Sequence, residues 1–226
     1  MNAEKSPPAA ALPYTIGEEI ANSILHGIGV LGAVAALVLL NLKTRGIFGG
    51  SAGSGLDIAA VTIYAAAMIG MFLISTLYHA IQPRNAKRIF RILDHSGIYL
   101  FIAGTYTPFC LIALRGVWGW SLFAFEWVMA ALGITLYATG NKVIKRIEVA
   151  VYIMMGWAIV AGFVPMVRSV PVSSIVFLLA GGAAYTLGTI WYRKKHISGT
   201  HAVWHAFVLL GAILQWVSIW LVLKVK

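Results

Sequence analysis

The sequence predicts an all-α integral membrane protein built as a bundle of seven transmembrane helices. Hydrophobic residues make up 60% of the 226 positions and charged residues only 11%, whereas a soluble domain is about one quarter charged. Apolar runs of about 20 residues recur along the chain, and each is long enough to cross roughly 30 Å of hydrocarbon as a helix. Apolar and polar residues do not alternate with period two, which favours helices over a membrane β-barrel.

The apolar runs predict both the helix boundaries and the domain organisation. The longest loop, about 42–57, is rich in Gly and Ser, and so residues 16–226 are expected to form a single domain. Residues 1–15 are rich in proline and lack a signal-peptide core, which predicts a disordered cytoplasmic tail. Pro108 and Pro165 are expected to distort helices 3 and 5. The predicted helices are about 20–41, 58–80, 93–114, 117–139, 148–167, 172–192 and 201–223.

The distribution of basic residues predicts the orientation of the bundle. The amino-terminal tail and the loops after helices 2, 4 and 6 contain eleven of the Lys and Arg residues, and the opposite side contains six. The positive-inside rule therefore predicts a cytoplasmic amino terminus and an external carboxyl terminus. The same distribution accounts for the net charge of +10 without a nucleic-acid partner, because the basic residues occupy short loops and not one continuous face.

The polar residues that are unusual in a membrane all fall at the predicted cytoplasmic ends of helices. Each such group costs roughly 2–3 kcal/mol on insertion scales, and these groups persist where they pair, line water or serve a function. They lie at the starts of helices 1, 3 and 7 and at the end of helix 2. Because these helix ends share one side of the membrane, a single site is predicted. Its members are Glu19, Asn22, His26, Ser75, His79, Asp94, His95, His201 and His205.

Three histidines of this group predict a metal site. His201 and His205 are four residues apart, so on a helix both rings lie on one face, where they can bind one ion. With His79 at the same depth, three neutral imidazoles can bind Zn²⁺ and leave a fourth position for water, as in catalytic zinc sites. Cys110, the only cysteine, lies in an apolar segment, so no thiolate cluster is expected. Zn²⁺ is the predicted cofactor.

The other members of the group are expected to support the metal. Asp94 is predicted to act as a general base on the metal-bound water, and capping of helix 3 is a compatible role. Ser75, one turn before the ligand of helix 2, can polarise a substrate carbonyl, although a hydrogen bond to its own helix backbone explains it equally well. Glu19, Asn22 and His26 share one face of helix 1 and are predicted to orient the ligands or to hold helix 7.

Two further residues receive weaker assignments. His95 points about 100° away from Asp94 on the same helix, and so a loop-facing or packing role is predicted for it. Glu126 lies about two turns into helix 4 from the outer side, too far from the site to be a ligand. It is expected to pair with Arg115 or to line an outward cavity.

Five short motifs occur in order from helix 1 to helix 7. They are Glu19-Ile-Ala-Asn22 with His26, Ser75-Thr-Leu-Tyr-His79, Leu93-Asp94-His95-Ser96-Gly97-Ile98-Tyr99, Gly104-Thr-Tyr-Thr-Pro108 and His201-Ala-Val-Trp-His205. No single motif is specific, but the ordered set resembles the bacterial haemolysin III branch of the progestin and adipoQ receptor family. The resemblance covers nearly the whole chain.

This resemblance implies a seven-helix bundle with a cytoplasmic amino terminus, a zinc site near the cytoplasmic surface and a location in the bacterial plasma membrane. In the similar adiponectin receptors, the residues matching His79, His201 and His205 bind zinc, and the residue matching Asp94 contacts the metal-bound water. Those receptors and the similar alkaline ceramidases imply hydrolysis of a lipid amide such as ceramide. The haemolysin name implies lytic activity, and bacterial members are associated with membrane homeostasis.

Three functions remain open at the level of sequence. The favoured one is a ceramidase-like zinc-dependent hydrolase of a lipid amide or ester, because an open three-histidine site lies near a carboxylate. The others are a non-enzymatic sensor or receptor of membrane homeostasis and a pore-forming haemolysin. The almost wholly apolar helices 5 and 6 offer a monomer no continuous pore lining, but an oligomeric pore stays open. Membrane lipids are the expected partners, no protein partner is indicated, and homo-oligomerisation is left open.

Overall fold

A computed structural model of the chain describes residues 14–49, 51–194 and 197–223. Throughout these residues every regular element is helical, and seven helices are long and apolar enough to cross a membrane. The predicted all-α, seven-helix class is confirmed. The predicted disordered tail lies outside the described residues except for Tyr14 and Thr15.

Eight α-helices form the seven spans, because α5 and α6 together make the fifth. A π-helical segment, Phe109–Leu114, continues α3, and a 3₁₀ segment, Ala158–Gly162, joins α5 to α6. The α-helices are α1 Ile16–Thr44, α2 Gly55–Ala80, α3 Arg84–Pro108, α4 Gly116–Ala138, α5 Lys142–Gly156, α6 Phe163–Ser169, α7 Val172–Arg193 and α8 Thr200–Val222.

A capping box fixes the start of α1. The Glu18 N–H donates to the Thr15 hydroxyl over 3.3 Å, and the Thr15 N–H donates to the Glu18 carboxylate over 2.8 Å. The two bonds satisfy backbone donors that the first turn of a helix leaves without partners. Because the helix starts immediately after Thr15, the polar residues of its first three turns are placed in a defined register.

Two helices begin six or more residues earlier than the apolar runs predict. Helix α3 begins at Arg84 and not near residue 93, and α5 begins at Lys142 and not near residue 148. Asn141 caps α5 by accepting hydrogen bonds from the next N–H groups, those of Val143 and Ile144. Both added segments are basic, so a hydropathy criterion assigns them to loops although they continue the helices.

The irregular segments lie beside the two prolines expected to distort helices. Pro108 is the last residue of α3, directly before the π-helical segment, and Pro165 lies in α6, directly after the 3₁₀ segment. Proline has no N–H, and its ring clashes with the carbonyl four residues earlier. The regular hydrogen-bond pattern is therefore interrupted next to each proline.

Small residues allow close packing of the first three helices. A Cβ atom on Gly29 of α1 would lie 2.6 Å from the Phe72 ring of α2, and one on Gly104 of α3 would lie 2.6 Å from the Ala67 side chain. Helix α1 also packs against α8. This packing brings the first turns of α1 and α8 to the same end of the bundle as the last turn of α2.

Candidate metal centre

Three histidines from two helices meet at this end of the bundle. One ligand atom from each of His79, His201 and His205 lies within 4.8 Å of the others. The Nε2 atoms of His79 and His205 are 3.1 Å apart. Two nitrogen ligands at 2.0–2.1 Å around a tetrahedral ion are separated by roughly 3.3 Å. The three imidazoles can therefore hold a metal ion, as their spacing predicted.

The local structure explains how the ligands converge. His79 is fully buried in the last turn of α2, and the rings of His201 and His205 lie one turn apart on α8 with centroids separated by 4.5 Å. Gly199, which precedes α8, adopts a φ of 80°. This left-handed conformation favours glycine, and it lets the chain turn sharply so that His201 lies in the first turn of the helix.

Helix α1 contacts the far side of two of the histidines. The Nδ1 atom of His79 lies 2.6 Å from the Glu19 carboxylate, and the Nδ1 atom of His205 lies 2.6 Å from Nε2 of His26. The Asn22 amide nitrogen is 3.5 Å from the same Nδ1 atom of His79, which is a contact longer than an ordinary hydrogen bond. Glu19, Asn22 and His26 thus lie where they can orient the ligands.

These contacts test whether the residues suit a metal. A carboxylate only accepts hydrogen bonds, so the Nδ1 atom of His79 carries the proton and the lone pair is left on Nε2. That nitrogen faces Nε2 of His205. A histidine that donates one N–H to a carboxylate while its other nitrogen faces a second imidazole is the usual arrangement of a metal-ligating histidine. The donor set therefore fits a divalent metal ion.

Lys87 extends the contacts behind His79. Its Nζ atom lies 2.6 Å from the second Glu19 oxygen and also donates to the backbone oxygens of Tyr78 and Ile81, over 3.2 and 3.3 Å. The sequence analysis counted Lys87 only as a loop cation. Lys87 lies in the first turns of α3, which the apolar run did not include in the predicted helix, and it is buried there. Its position in this early part of α3 is the feature that could have identified it.

Tyr14 contacts the third ligand and was also missed, because it was assigned to the tail. Its hydroxyl lies 3.2 Å from Nδ1 of His201, and the two rings stack with centroids 4.5 Å apart. Burial, and next the neighbouring Tyr78, raise the pKa of Tyr14 above its ordinary value. The phenol therefore stays neutral at neutral pH, and its oxygen can accept the Nδ1–H of His201.

Asp94 and Ser75 reach the same site from α3 and α2. Both line a cavity of about 290 Å³ that is also lined by His201 and His205. Asp94 lies in the third turn of α3, so the suggestion that it caps the helix is wrong. The Ser75 hydroxyl is buried and faces the Asp94 carboxyl. It makes no hydrogen bond of standard geometry with a described residue, including its own helix.

The cavity extends from the histidines deep into the bundle. It continues along α8 from His201 to Gln215, a rise of roughly 21 Å along the helix axis. Its deeper wall is mostly apolar and comes from α2, α3, α5, α7 and α8. Representative lining residues are Met71, Phe101, Ile102, Leu178, Tyr185 and Val208.

The two remaining assignments are corrected in part. His95 packs its ring on Tyr137, as predicted, but it does not face a loop, because it lines the cavity and its Nδ1 atom lies 3.0 Å from Glu148. The proposed pairing of Glu126 with Arg115 is wrong, since Arg115 contacts Asp57 over 3.4 Å. Glu126 is fully buried, and neither carboxyl oxygen bonds to a described residue.

Together these features define a class: a seven-helix membrane protein with a three-histidine centre at one end of the bundle, above an apolar cavity. The family model described as "Haemolysin-III related" matches residues 14–216. The chain therefore belongs to the haemolysin III-related family, as its motifs indicated.

Individual relatives agree with this assignment. The chain is 42% identical over 199 residues to "Hemolysin-3 homolog" of Bacillus subtilis (strain 168), covering 88% of this chain and 91% of that protein. It is 38% identical over 200 residues to "Hemolysin-3" of Bacillus cereus, covering 88% and 89%. It is also 24% identical over 222 residues to "Monocyte to macrophage differentiation factor" of Homo sapiens, covering 96% and 89%. The bacterial relatives and the seven apolar helices place the chain as a multi-pass integral protein of the bacterial plasma membrane.

Proposed function

We propose that the protein is a zinc-dependent hydrolase that cleaves an amide or ester bond of a membrane lipid. The observation that carries the proposal is a shared wall: Ser75, Asp94 and two of the three histidines line the same cavity as the apolar side chains deeper in the bundle. A substrate with a polar bond to be cleaved and a long apolar chain matches this arrangement. A membrane lipid has both parts.

Zinc is the metal that the donor set favours. Three neutral imidazoles with an open fourth position are typical of catalytic zinc sites, whereas structural zinc is commonly closed by a fourth ligand such as cysteine. Cys110 lies in the π-helical segment and is buried there, outside the histidine cluster. When bound, zinc supplies a Lewis acid that makes water a nucleophile near neutral pH.

The apolar part of the cavity supports an acyl chain as the bound portion of the substrate. Burial of each CH₂ group stabilises a complex by about 0.8 kcal/mol. A channel that follows α8 over roughly 21 Å can therefore derive much of its affinity from one extended chain. With the acyl chain bound there, we expect the carbonyl group of the substrate at the histidine end, beside Ser75 and Asp94.

The side chains at that end have the roles that hydrolysis requires. The Asp94 carboxylate accepts the proton that the attacking water loses. The Ser75 hydroxyl, which lies beside the Asp94 carboxyl in the cavity wall, donates to the substrate carbonyl oxygen as negative charge develops there. Glu19 and His26 hold two of the ligand rings from α1.

Lipid turnover by an Asp94 variant tests the proposal. The purified zinc-loaded protein in detergent micelles should release fatty acid from long-chain acyl amides or esters. Asp94→Asn should retain its zinc and lose about 10²- to 10⁴-fold in turnover, the usual contribution of a general base. Asp57→Asn is the matched control, because Asp57 belongs to the capping box of α2, contacts Arg115 and is not part of the cavity wall.

Two results would contradict the hydrolase. Full lipid turnover by Asp94→Asn would remove the general base from the reaction. Dye leakage from liposomes that persists after zinc removal, with no fatty acid released by the wild type, would indicate a pore instead.

A further inference from the structure

A second polar cluster lies in the wall of the cavity, next to Asp94. His95 and Tyr192 line the cavity, and Glu148 lies buried behind them on α5. His95 and Glu148 are not members of the three-histidine cluster and have no role in the reaction described above, whereas the centroid of the Tyr192 ring also lies 6.0 Å from that of the His201 ring. Hydrogen bonds and ring contacts join these residues into one cluster at the cavity wall.

Glu148 joins the other two residues. Its Oε2 atom lies 3.0 Å from Nδ1 of His95, and its Oε1 atom accepts a hydrogen bond of 3.1 Å from the Tyr192 hydroxyl. The carboxylate therefore uses one oxygen to orient the imidazole and is itself held through the other. A carboxylate placed behind a histidine in this way fixes the tautomer of the ring and compensates its charge when both nitrogens carry protons.

The ring of His95 is fixed from two further directions. It stacks on the Tyr137 ring with centroids 4.8 Å apart and planes inclined by 14°. The Tyr152 hydroxyl donates to the His95 backbone oxygen over 2.9 Å. Because Nδ1 is held by Glu148, the nitrogen left for a ligand is Nε2. A histidine held this firmly at a cavity wall is suited to proton transfer.

We propose that His95 is the general acid that protonates the leaving group, and that Glu148 is its positioning residue. This inference rests on the proposed hydrolase function and deepens it. Asp94 and His95 are consecutive on α3, so their side chains diverge by about 100° around the helix and still both reach the cavity. Asp94 accepts a proton from the attacking water on one side of the substrate. His95 donates a proton to the leaving group on the other side.

The proton balance of the reaction closes with these two residues. The oxygen of water forms a bond to the carbonyl carbon and passes one proton to the Asp94 carboxylate. The bond from that carbon to the leaving nitrogen or oxygen then breaks, its electron pair stays on the leaving atom, and that atom takes a proton from Nε2 of His95. The products are a carboxylic acid and an amine or alcohol. The proton held by Asp94 returns through water to His95.

The nature of the leaving group provides the test. The anions of an alkyl amine and of an alcohol are poor leaving groups, so these groups depart only after they receive a proton. The p-nitrophenolate anion is a good leaving group and departs without one. Zinc-loaded wild type and His95→Gln should be compared on two substrates with the same long acyl chain, an N-alkyl amide and a p-nitrophenyl ester. The variant should lose about 10²- to 10⁴-fold on the amide and hydrolyse the ester near the wild-type rate, with unchanged zinc content.

Two further variants complete the test. Glu148→Gln should show the same selective loss on the amide in weaker form, and it provides the comparison if His95→Gln does not fold. Asp57→Asn, whose side chain is not part of the cavity wall, is the control and should hydrolyse both substrates normally. Equal losses on both substrates, or no loss on the amide, would overturn the assignment of His95 while leaving the hydrolase intact. A wild type inactive on both substrates would overturn the proposed function itself, and the assignment with it.

Discussion

Replacement of Glu19 by Gln changes the charge behind His79 and almost nothing else. Wild-type Glu19 accepts a proton from Nδ1 of His79 with one oxygen, and its other oxygen lies 2.6 Å from Nζ of Lys87. Both neighbours are donors, and Gln has only one acceptor atom. If the Gln oxygen faces His79, the amide NH₂ faces the ammonium of Lys87. In the other orientation the NH₂ faces Nδ1, which moves the imidazole proton to Nε2.

Each orientation should weaken zinc binding. In the first, two donors oppose each other in a buried site, and in the second the ligand nitrogen has no lone pair for the metal. Loss of such an outer partner typically lowers metal affinity by about 10- to 100-fold, which corresponds to about 1.4–2.8 kcal/mol. Lys87 itself keeps its two backbone acceptors, so the variant should still fold.

Competition with a calibrated chelator measures this change in zinc affinity on the purified protein. Glu18→Gln is the matched control, because Glu18 is the adjacent residue and its carboxylate bonds to Thr15, Ser198 and Gly199, not to His79. The control should bind zinc much as the wild type does. Wild-type affinity in Glu19→Gln would refute the inference that this carboxylate sets the tautomer of His79.

The remaining predictions concern the other supports of the site. His26→Leu should weaken zinc binding by about tenfold, because His205 loses the acceptor 2.6 Å from its Nδ1 atom; unchanged affinity in the same competition would contradict this. Gly182→Leu should shift hydrolysis toward short acyl chains, since a Cβ at Gly182 has ordinary contact distances to Trp157 and the rest of the side chain enters the cavity; an unaltered chain-length profile would count against acyl binding there. Glu126→Leu should raise the thermal midpoint, because it removes two buried oxygens that bond to no described residue, a gain of roughly 1–3 kcal/mol; a lower midpoint would show that Glu126 has a stabilising role.

Much of the fold and the metal centre followed from short-range sequence features. Apolar runs set the number of spans, and the four-residue spacing of His201 and His205 placed both rings on one helix face. Helix direction then brought His79 to the same depth. These inferences succeed because membrane thickness and helical periodicity act on each segment alone.

The features that sequence could not supply depend on contacts between distant segments. Glu148 is 53 positions from His95 and Tyr14 is 187 positions from His201, so no local spacing relates them. Lys87 was assigned to a loop because it is charged. A hydropathy criterion excludes charged residues from a span even where an amphipathic helix continues through them. Its burial becomes visible only once Glu19 of α1 is seen beside it.

Zinc content of the purified protein tests the central claim most directly. The wild type should carry zinc in stoichiometric amount, and His79→Ala, His201→Ala and His205→Ala should each lose most of it while remaining folded by circular dichroism. Full zinc content in His205→Ala, whose Nε2 atom lies 3.1 Å from that of His79, would contradict the three-histidine centre on which the proposed chemistry depends.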